Sequence, residues 1–254
     1  MMAWKMFGNG MPAVIDEKNL RSLQDEEFDK IFPAEIRALS DRHWTPASIA
    51  HRAAKFLVTK PGTRVLDVGA GPGKFCIVGA LSTSGHFTGI EQRERLVNIG
   101  RETLSKAAVA NARIIRANVT DVDFSEYDAF YLFNPFTENL LTFDKIDDTV
   151  QLSGDLYRQY TDYVAGQLAL APLGTRIVTY WNAEVPIGYS PVDTTQPDRF
   201  NLPDTVRFWK KTRPVSAAEA RIKPSVKVRY KLSAFDLAFE WCDQKAKSAT
   251  SWLS

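Results

Sequence analysis

Val65-Leu66-Asp67-Val68-Gly69-Ala70-Gly71-Pro72-Gly73-Lys74 is the stretch that decides the fold. Residues 64–68 read as a short buried strand, and residues 75–81 as a helix. Between them three glycines fall at alternate positions. Glycine lets the backbone turn sharply and approach a ligand with no Cβ in the way. The first turn of the following helix offers unpaired N–H groups to an electronegative ligand.

Working outward, the same alternation repeats. Residues 86–90 form a second expected strand, ended by Glu91, and residues 93–104 a helix. Residues 112–117 and 127–133 are further strands, 154–171 a long helix and 176–180 a fifth strand. Apolar strands alternating with helices predict an α/β protein with a doubly wound, mostly parallel sheet and helices on both faces. Two later segments, 205–210 and 225–232, alternate apolar and polar residues, which predicts an antiparallel edge hairpin near the C-terminus. Upstream, Leu20, Leu23, Phe28, Ile31 and Phe32 predict one or two short amphipathic helices within 16–39, interrupted near Pro33. Thr45-Pro46 predicts a capped helix start, and Pro61-Gly62 its stop.

The glycine spacing excludes two common phosphate binders. A dinucleotide loop needs G-x-G-x-x-G, but the sixth position here is Lys74. The G-x-x-x-x-G-K-[ST] pattern of a P-loop is absent. The spacing D-x-G-x-G-x-G, following a strand, instead resembles the first motif of the class I (Rossmann-like) S-adenosylmethionine-dependent methyltransferases. That resemblance covers roughly residues 44–180. It implies S-adenosyl-L-methionine as cofactor, with Asp67 near its amino-acid end or the water around it. It divides the chain into an N-terminal helical extension, 1–43, and a Rossmann-like methyltransferase domain, 44–254. The implied cofactor-binding set is Asp67, Gly69, Ala70, Gly71, Gly73, Glu91, Gln92, Asn118, Val119 and Asn134.

Several of these residues carry two readings. Glu91, at a strand end, can accept hydrogen bonds from ribose hydroxyls or cap the next helix. Asn118 offers a donor and an acceptor to an adenine edge, or serves a turn. Asn134 stands in Phe133-Asn134-Pro135-Phe136, similar to the N/D-P-P-Y/F motif of amino-group methyltransferases but with one proline where that motif has two. Nitrogen methylation is therefore not inferred. Asn134 is the candidate catalytic residue, orienting an acceptor; its other reading is a helix cap. Trp44-Thr45-Pro46 either closes over the cofactor or only starts a helix. The acceptor is expected at the carboxyl ends of the strands, walled by residues 134–137, 181–184 and 185–189, with Tyr180 beside them.

Composition bounds the rest. The 254 residues carry 32 Lys and Arg against 30 Asp and Glu, a net charge of +2 that disfavours broad nucleic-acid binding. Nine Lys or Arg against Glu219 alone do crowd residues 206–231. They suit nucleic acid or an acidic protein, but equally a strand edge protected from aggregation, which is the favoured reading. Two cysteines, Cys76 and Cys242, offer neither a bridge framework nor zinc-ligand spacing, as expected of a reduced cytoplasmic protein without metal. No apolar run reaches the about 18 residues of a membrane helix, and residues 1–11 lack a signal-peptide core. His43, His51 and His86 are scattered, which disfavours histidine acid–base chemistry.

The expected function is methyl transfer to a small molecule or protein side chain. The competing readings are a non-catalytic binding module on the same fold and a nicotinamide-dependent oxidoreductase, the latter opposed by the missing third glycine of the dinucleotide pattern. The methyltransferase reading expects Asp67→Ala or Gly71→Leu to abolish cofactor binding in a folded protein.

Overall fold

The pentapeptide Arg64–Val68, buried from Val65 onward, forms β1, which lies inside the sheet with both of its edges paired. β2 (His86–Glu91) and β4 (Ala129–Phe133) flank it in parallel. The sheet continues with β3 (Ala112–Arg116) beyond β2 and with β5 (Arg176–Tyr180) beyond β4, both parallel. β7 (Arg207–Lys211) then runs antiparallel to β5, and the three-residue β6 (Tyr189–Pro191) antiparallel to β7. The order is β3-β2-β1-β4-β5-β7-β6. The chain winds outward from β1 to β3 and then returns to the other side of β1. Such a switch point leaves a crevice at the carboxyl ends of β1 and β4, where doubly wound sheets bind ligands. The computed structural model describes residues 25–140, 145–180, 187–192 and 206–220, all within one compact unit.

Strand alternation sends side chains to two cores. Val65, Phe87, Ile114, Ala129, Tyr131, Val178 and Phe208 share one core. It is covered by α4 (Ala47–Leu57), α5 (Lys74–Ser82) and α6 (Glu94–Lys106). Leu66, Val68, Ile90, Phe130, Leu132 and Ile177 face the other, covered by α7 (Gly154–Leu170) and short 3-10 turns at Val119–Asp121 and Phe124–Glu126. α5 is buried on nearly every face because it lies close against the sheet: a Cβ on Gly79 would stand 2.3 Å from the Phe87 ring. Ser153 caps α7 by accepting the Leu156 N–H at 3.1 Å.

Among the described residues upstream of α4 are three one-turn α-helices, α1 (Asp25–Phe28), α2 (Ala34–Arg37) and α3 (Ser40–His43). Phe28, Phe32 and Ile36 of this stretch are buried in the first core. A polar network fastens them there. Lys74, 2% exposed, pairs with Asp25 and Asp29, each at 2.7 Å, and Ser40 donates to Asp29. Asp25 also accepts the Ala47 N–H at 2.7 Å. The start of α4 is thus capped by a side chain 22 residues upstream rather than by Thr45. Thr45 bonds the Tyr131 hydroxyl at 2.7 Å instead, so its hydroxyl is not available to the helix. A cation in the first turn of α5 opposes the helix dipole; the two carboxylates offset it.

The antiparallel edge is present, with one difference from the sequence reading. The 205–210 segment is β7, but its outer partner is the earlier segment Tyr189–Pro191. The short β6 carries no long alternating pattern to announce it. Residues 225–232 lie outside the described residues, as do 16–24 of the N-terminal stretch. Of the four described basic residues in 206–220, Lys211 is buried with its ammonium on the Leu168 and Ala169 carbonyls at the end of α7, and Arg213 pairs with Glu219.

Removing one partner from a buried ion cluster leaves the others uncompensated. Lys74→Met is expected to lower the unfolding free energy by about 3–5 kcal/mol in urea titrations. Lys106→Met, which breaks an exposed pair with Glu102, is expected to cost under about 1 kcal/mol.

Candidate cofactor-binding site

Gly69, Gly71 and Gly73 all adopt positive φ, at 74°, 55° and 83°. The loop they form doubles back across the end of β2. Gly69 and Ala70 both donate to the Ile90 carbonyl, at 3.0 and 2.9 Å, and the Gly71 N–H reaches Glu91 Oε2 at 3.2 Å. Glu91 Oε1 accepts the Arg93 N–H at 2.8 Å. The Glu91 carboxylate, 6% exposed, therefore stitches the glycine loop to the start of the next helix. Burial pushes its pKa up, against the Arg93 N–H, the Arg93 charge and the Gly71 N–H. Both readings of Glu91 have a place here, because each carboxylate oxygen keeps a second lone pair.

Asp67 is buried on the neighbouring strand, in register with Gly89 on β2 and Tyr131 on β4. Among the described residues its carboxyl meets no ion pair; the Cys76 thiol donates to it at 3.5 Å. Burial pushes its pKa up to about 7, the thiol works against this, and the Glu91 charge adds to it. Beside it the Tyr131 ring stacks on Phe75 with centroids 3.8 Å apart. Burial pushes the Tyr131 phenol up, so it stays protonated.

Trp44 closes one side of the loop. It is 6% exposed, donates its indole N–H to the Ile36 carbonyl at 3.0 Å, and a Cβ on Gly71 would come 2.3 Å from its ring. Position 71 thus needs glycine twice, for its left-handed backbone and for this contact. Gly71→Leu is accordingly expected to destabilise the fold as well as to disturb the loop. Overpacking of this kind costs about 1–3 kcal/mol before backbone strain is added. Pro135, after β4, lies against Gly69, so the β4 end adjoins the loop directly.

Asn134 takes φ of 40°, a left-handed conformation that Asn tolerates better than most residues. Its side-chain oxygen accepts the Thr137 hydroxyl, which leaves its amide nitrogen as the hydrogen-bonding group not committed there. Asn118 is used locally. Its oxygen takes the Thr120 N–H at 3.1 Å and hydroxyl at 3.0 Å, and its nitrogen donates to Tyr160 at 2.8 Å. Val119 is buried in the second core and Gln92 is half-buried at the turn after β2. The structure thus joins Asp67, the glycine loop, Glu91 and the β4 end directly. It holds Asn118 one strand away, linked through the Ala117 N–H to the Glu91 carbonyl at 3.1 Å. Of the expected acceptor walls, residues 181–186 lie outside the described residues; Tyr180 packs on Phe133 with centroids 4.7 Å apart.

Sequence reasoning passed over Arg93. Its guanidinium is 4% exposed and bridges Glu138 and Asp147, each at 3.0 Å. Its partners lie 45 and 54 residues away, so no local spacing signals them.

Asp67 carries a pH prediction. A carboxyl whose native pKa is raised holds its proton where the unfolded chain has lost it. Its contribution to stability is greatest below about pH 4 and is lost as the pH rises through about 7. The stability of Asp67→Asn minus that of the parent is expected to grow across this window, by about 1.4 kcal/mol for each pH unit crossed, in urea unfolding at successive pH values.

Residues 59–178 match a family model described as a methyltransferase domain. Demethylmenaquinone methyltransferases of Listeria monocytogenes and Listeria welshimeri are 28% identical over 117 residues, 45% of this chain. The match covers 46% and 47% of those proteins, so the chain spans about half the length of the curated relatives it matches. Among solved structures, an RNA methyltransferase from Salinibacter ruber, in complex with S-adenosyl-L-homocysteine, is 19% identical with a TM-score of 0.48. That alignment covers 68% of this chain and 95% of that one. A SAM-dependent O-methyltransferase from Thermotoga maritima is 18% identical with a TM-score of 0.46, covering 72% and 73%. Residues 59–178, which hold the glycine loop and β1 to β4 already described, are thus the part of the chain that is similar to a methyltransferase domain.

Proposed function

We propose that this chain is an S-adenosyl-L-methionine-dependent methyltransferase acting on a small molecule or a protein side chain. The observation that carries the reading is the pairing of two buried carboxylates, Asp67 and Glu91, around a loop of left-handed glycines at the switch point of the sheet. Burying a carboxylate without a cation is costly. Asp67 has no ion pair among the described residues, and the Arg93 guanidinium is engaged by Glu138 and Asp147. Both acids therefore suit a ligand rich in N–H and O–H donors with a positive charge. S-adenosylmethionine fits, offering an ammonium, two ribose hydroxyls and a sulfonium.

Bound, that cofactor supplies a methyl group already activated by its positive sulfur. The chain's own work is to bind, align and exclude water. Asp67 would hold the amino-acid end and Glu91 the ribose. Gly69, Ala70, Gly71 and Gly73 would line the approach, with Gln92, Asn118 and Val119 toward the base. Trp44 and Pro135 shield the loop from either side. The Asn134 amide nitrogen would donate to the acceptor. No strong base is required unless the acceptor must first lose a proton. The Tyr131 phenol and Cys76 thiol, both pushed up by burial, stay protonated and so do not serve as bases.

The curated relatives, named for demethylmenaquinone, lean the acceptor toward a small molecule. The basic residues of 206–231 are read as edge protection rather than as a nucleic-acid surface. The proposed setting is the cytoplasm, where isolated cysteines stay reduced; no helix among the described residues is long and apolar enough to cross a membrane.

Calorimetric titration with S-adenosylhomocysteine is expected to show saturable binding, and a nicotinamide dinucleotide none. Glu91→Ala is expected to weaken S-adenosylhomocysteine binding about tenfold or more, the scale of a lost charge-assisted hydrogen bond. Binding of the dinucleotide alone would overturn the reading.

A further inference from the structure

The residue after Glu91-Gln92 is Arg93, and it is shared by both sides of the crevice. Its backbone N–H fixes one oxygen of Glu91 at 2.8 Å. Its side chain leaves the end of β2 and reaches the segment that follows β4. Nη2 lies 3.0 Å from Glu138 Oε1, and Nε lies 3.0 Å from Asp147 Oδ1. The guanidinium is 4% exposed and the two carboxylates 18% and 20%. Each carboxylate also organises local backbone. Glu138 accepts the Ile146 N–H at 2.5 Å, and Asp147 accepts the Thr149 N–H at 3.0 Å and its hydroxyl at 2.7 Å. Next to Glu138, the buried Asn139 donates to the Phe136 carbonyl and accepts the N–H of Ser153, the N-cap of α7. One residue, Arg93, therefore meets Glu91 through its backbone and two carboxylates of the segment after β4 through its side chain, and Asn139, next to one of them, meets the start of α7.

We propose that Arg93 is a positioning residue: its clamp on Glu138 and Asp147 holds the segments flanking the β4 end against the end of β2, and this sets the geometry in which cofactor is bound. The inference rests on the cofactor reading given above. Arginine is suited to the task because a planar fork can engage two carboxylates at once; a lysine ammonium is a single point charge on a flexible stem. A pair buried to this extent is poorly screened by solvent or salt. Without the guanidinium the two carboxylates face each other and Glu91 uncompensated, and the segments they organise are expected to part from β2.

The test uses the full chain and three variants, Arg93→Met, Arg93→Lys and, as a control, Arg64→Met. The control breaks an exposed ion pair with Asp128 where β1 begins, at the opposite end of the strands. The readouts are S-adenosylhomocysteine affinity by calorimetry and amide hydrogen exchange at Asn139, Ile146 and Thr149 without ligand. Expected are at least tenfold weaker binding and faster exchange at those three amides in Arg93→Met. Arg93→Lys should recover part of both, and Arg64→Met should leave both unchanged. Unaltered affinity in Arg93→Met, or an equal loss in Arg64→Met, would overturn the proposal. Should the parent bind no S-adenosylhomocysteine, the cofactor reading fails on its own. The clamp is then judged by exchange: faster exchange in Arg93→Met upholds it and unchanged exchange refutes it.

Discussion

Asp67 and Glu91 are buried where two adjacent parallel strands end, and much of the surrounding structure follows from having to hold two carboxylates away from water. The glycine loop can cross the end of β2 only because its three glycines take left-handed backbone, and that crossing brings the Gly71 N–H to Glu91. The same carboxylate takes the Arg93 N–H, so one side chain ties down both the loop from β1 and the turn into α6. Among the described residues Asp67, by contrast, is given a thiol and little else. A weakly partnered acid in the core costs stability that Asn or Val at the same position would not. It is placed beside the crevice where the proposed cofactor site lies.

Two further polar networks surround this pair, and they solve a common problem of attachment. The short helices between Asp25 and His43 are too small to be stable alone. Burial of Phe28, Phe32 and Ile36 and the Lys74 network join them to the first turn of α5, one residue beyond the glycine loop. Trp44 is thereby set against Gly71. On the other side, Arg93 fastens the residues after β4. The loop is therefore held from the N-terminal segment and from the β4 segment by buried cations, each between two carboxylates.

The core of the fold was legible because periodicity and glycine placement are local signals. β1, β2 and β5 fall where the apolar runs place them, and the helices after β1 and β2 begin within a residue of expectation. Asp67 and Glu91 were placed at the ends of the first two strands by the same local pattern, and the structure brings both beside the glycine loop. What the sequence withheld depends on distant partners. Thr45 looks like a helix cap until Tyr131 claims its hydroxyl, and the helix then takes its cap from Asp25. Lys74 looked like a departure from a dinucleotide pattern and is the anchor of the N-terminal segment. Gly71 signalled flexibility, but its tolerance is set as much by the Trp44 ring as by its φ. The partner of β7 was misplaced because three residues, Tyr189–Pro191, are too few to show a period.

The most direct test is a crystal structure of the protein grown with S-adenosylhomocysteine. The account predicts ribose hydroxyls within hydrogen-bonding distance of Glu91 and the amino-acid end at the Gly69–Gly73 loop on the Asp67 side. Ligand bound elsewhere on the molecule, or a loop left empty at saturating concentration with Glu91 still closed on the Gly71 N–H, would contradict it.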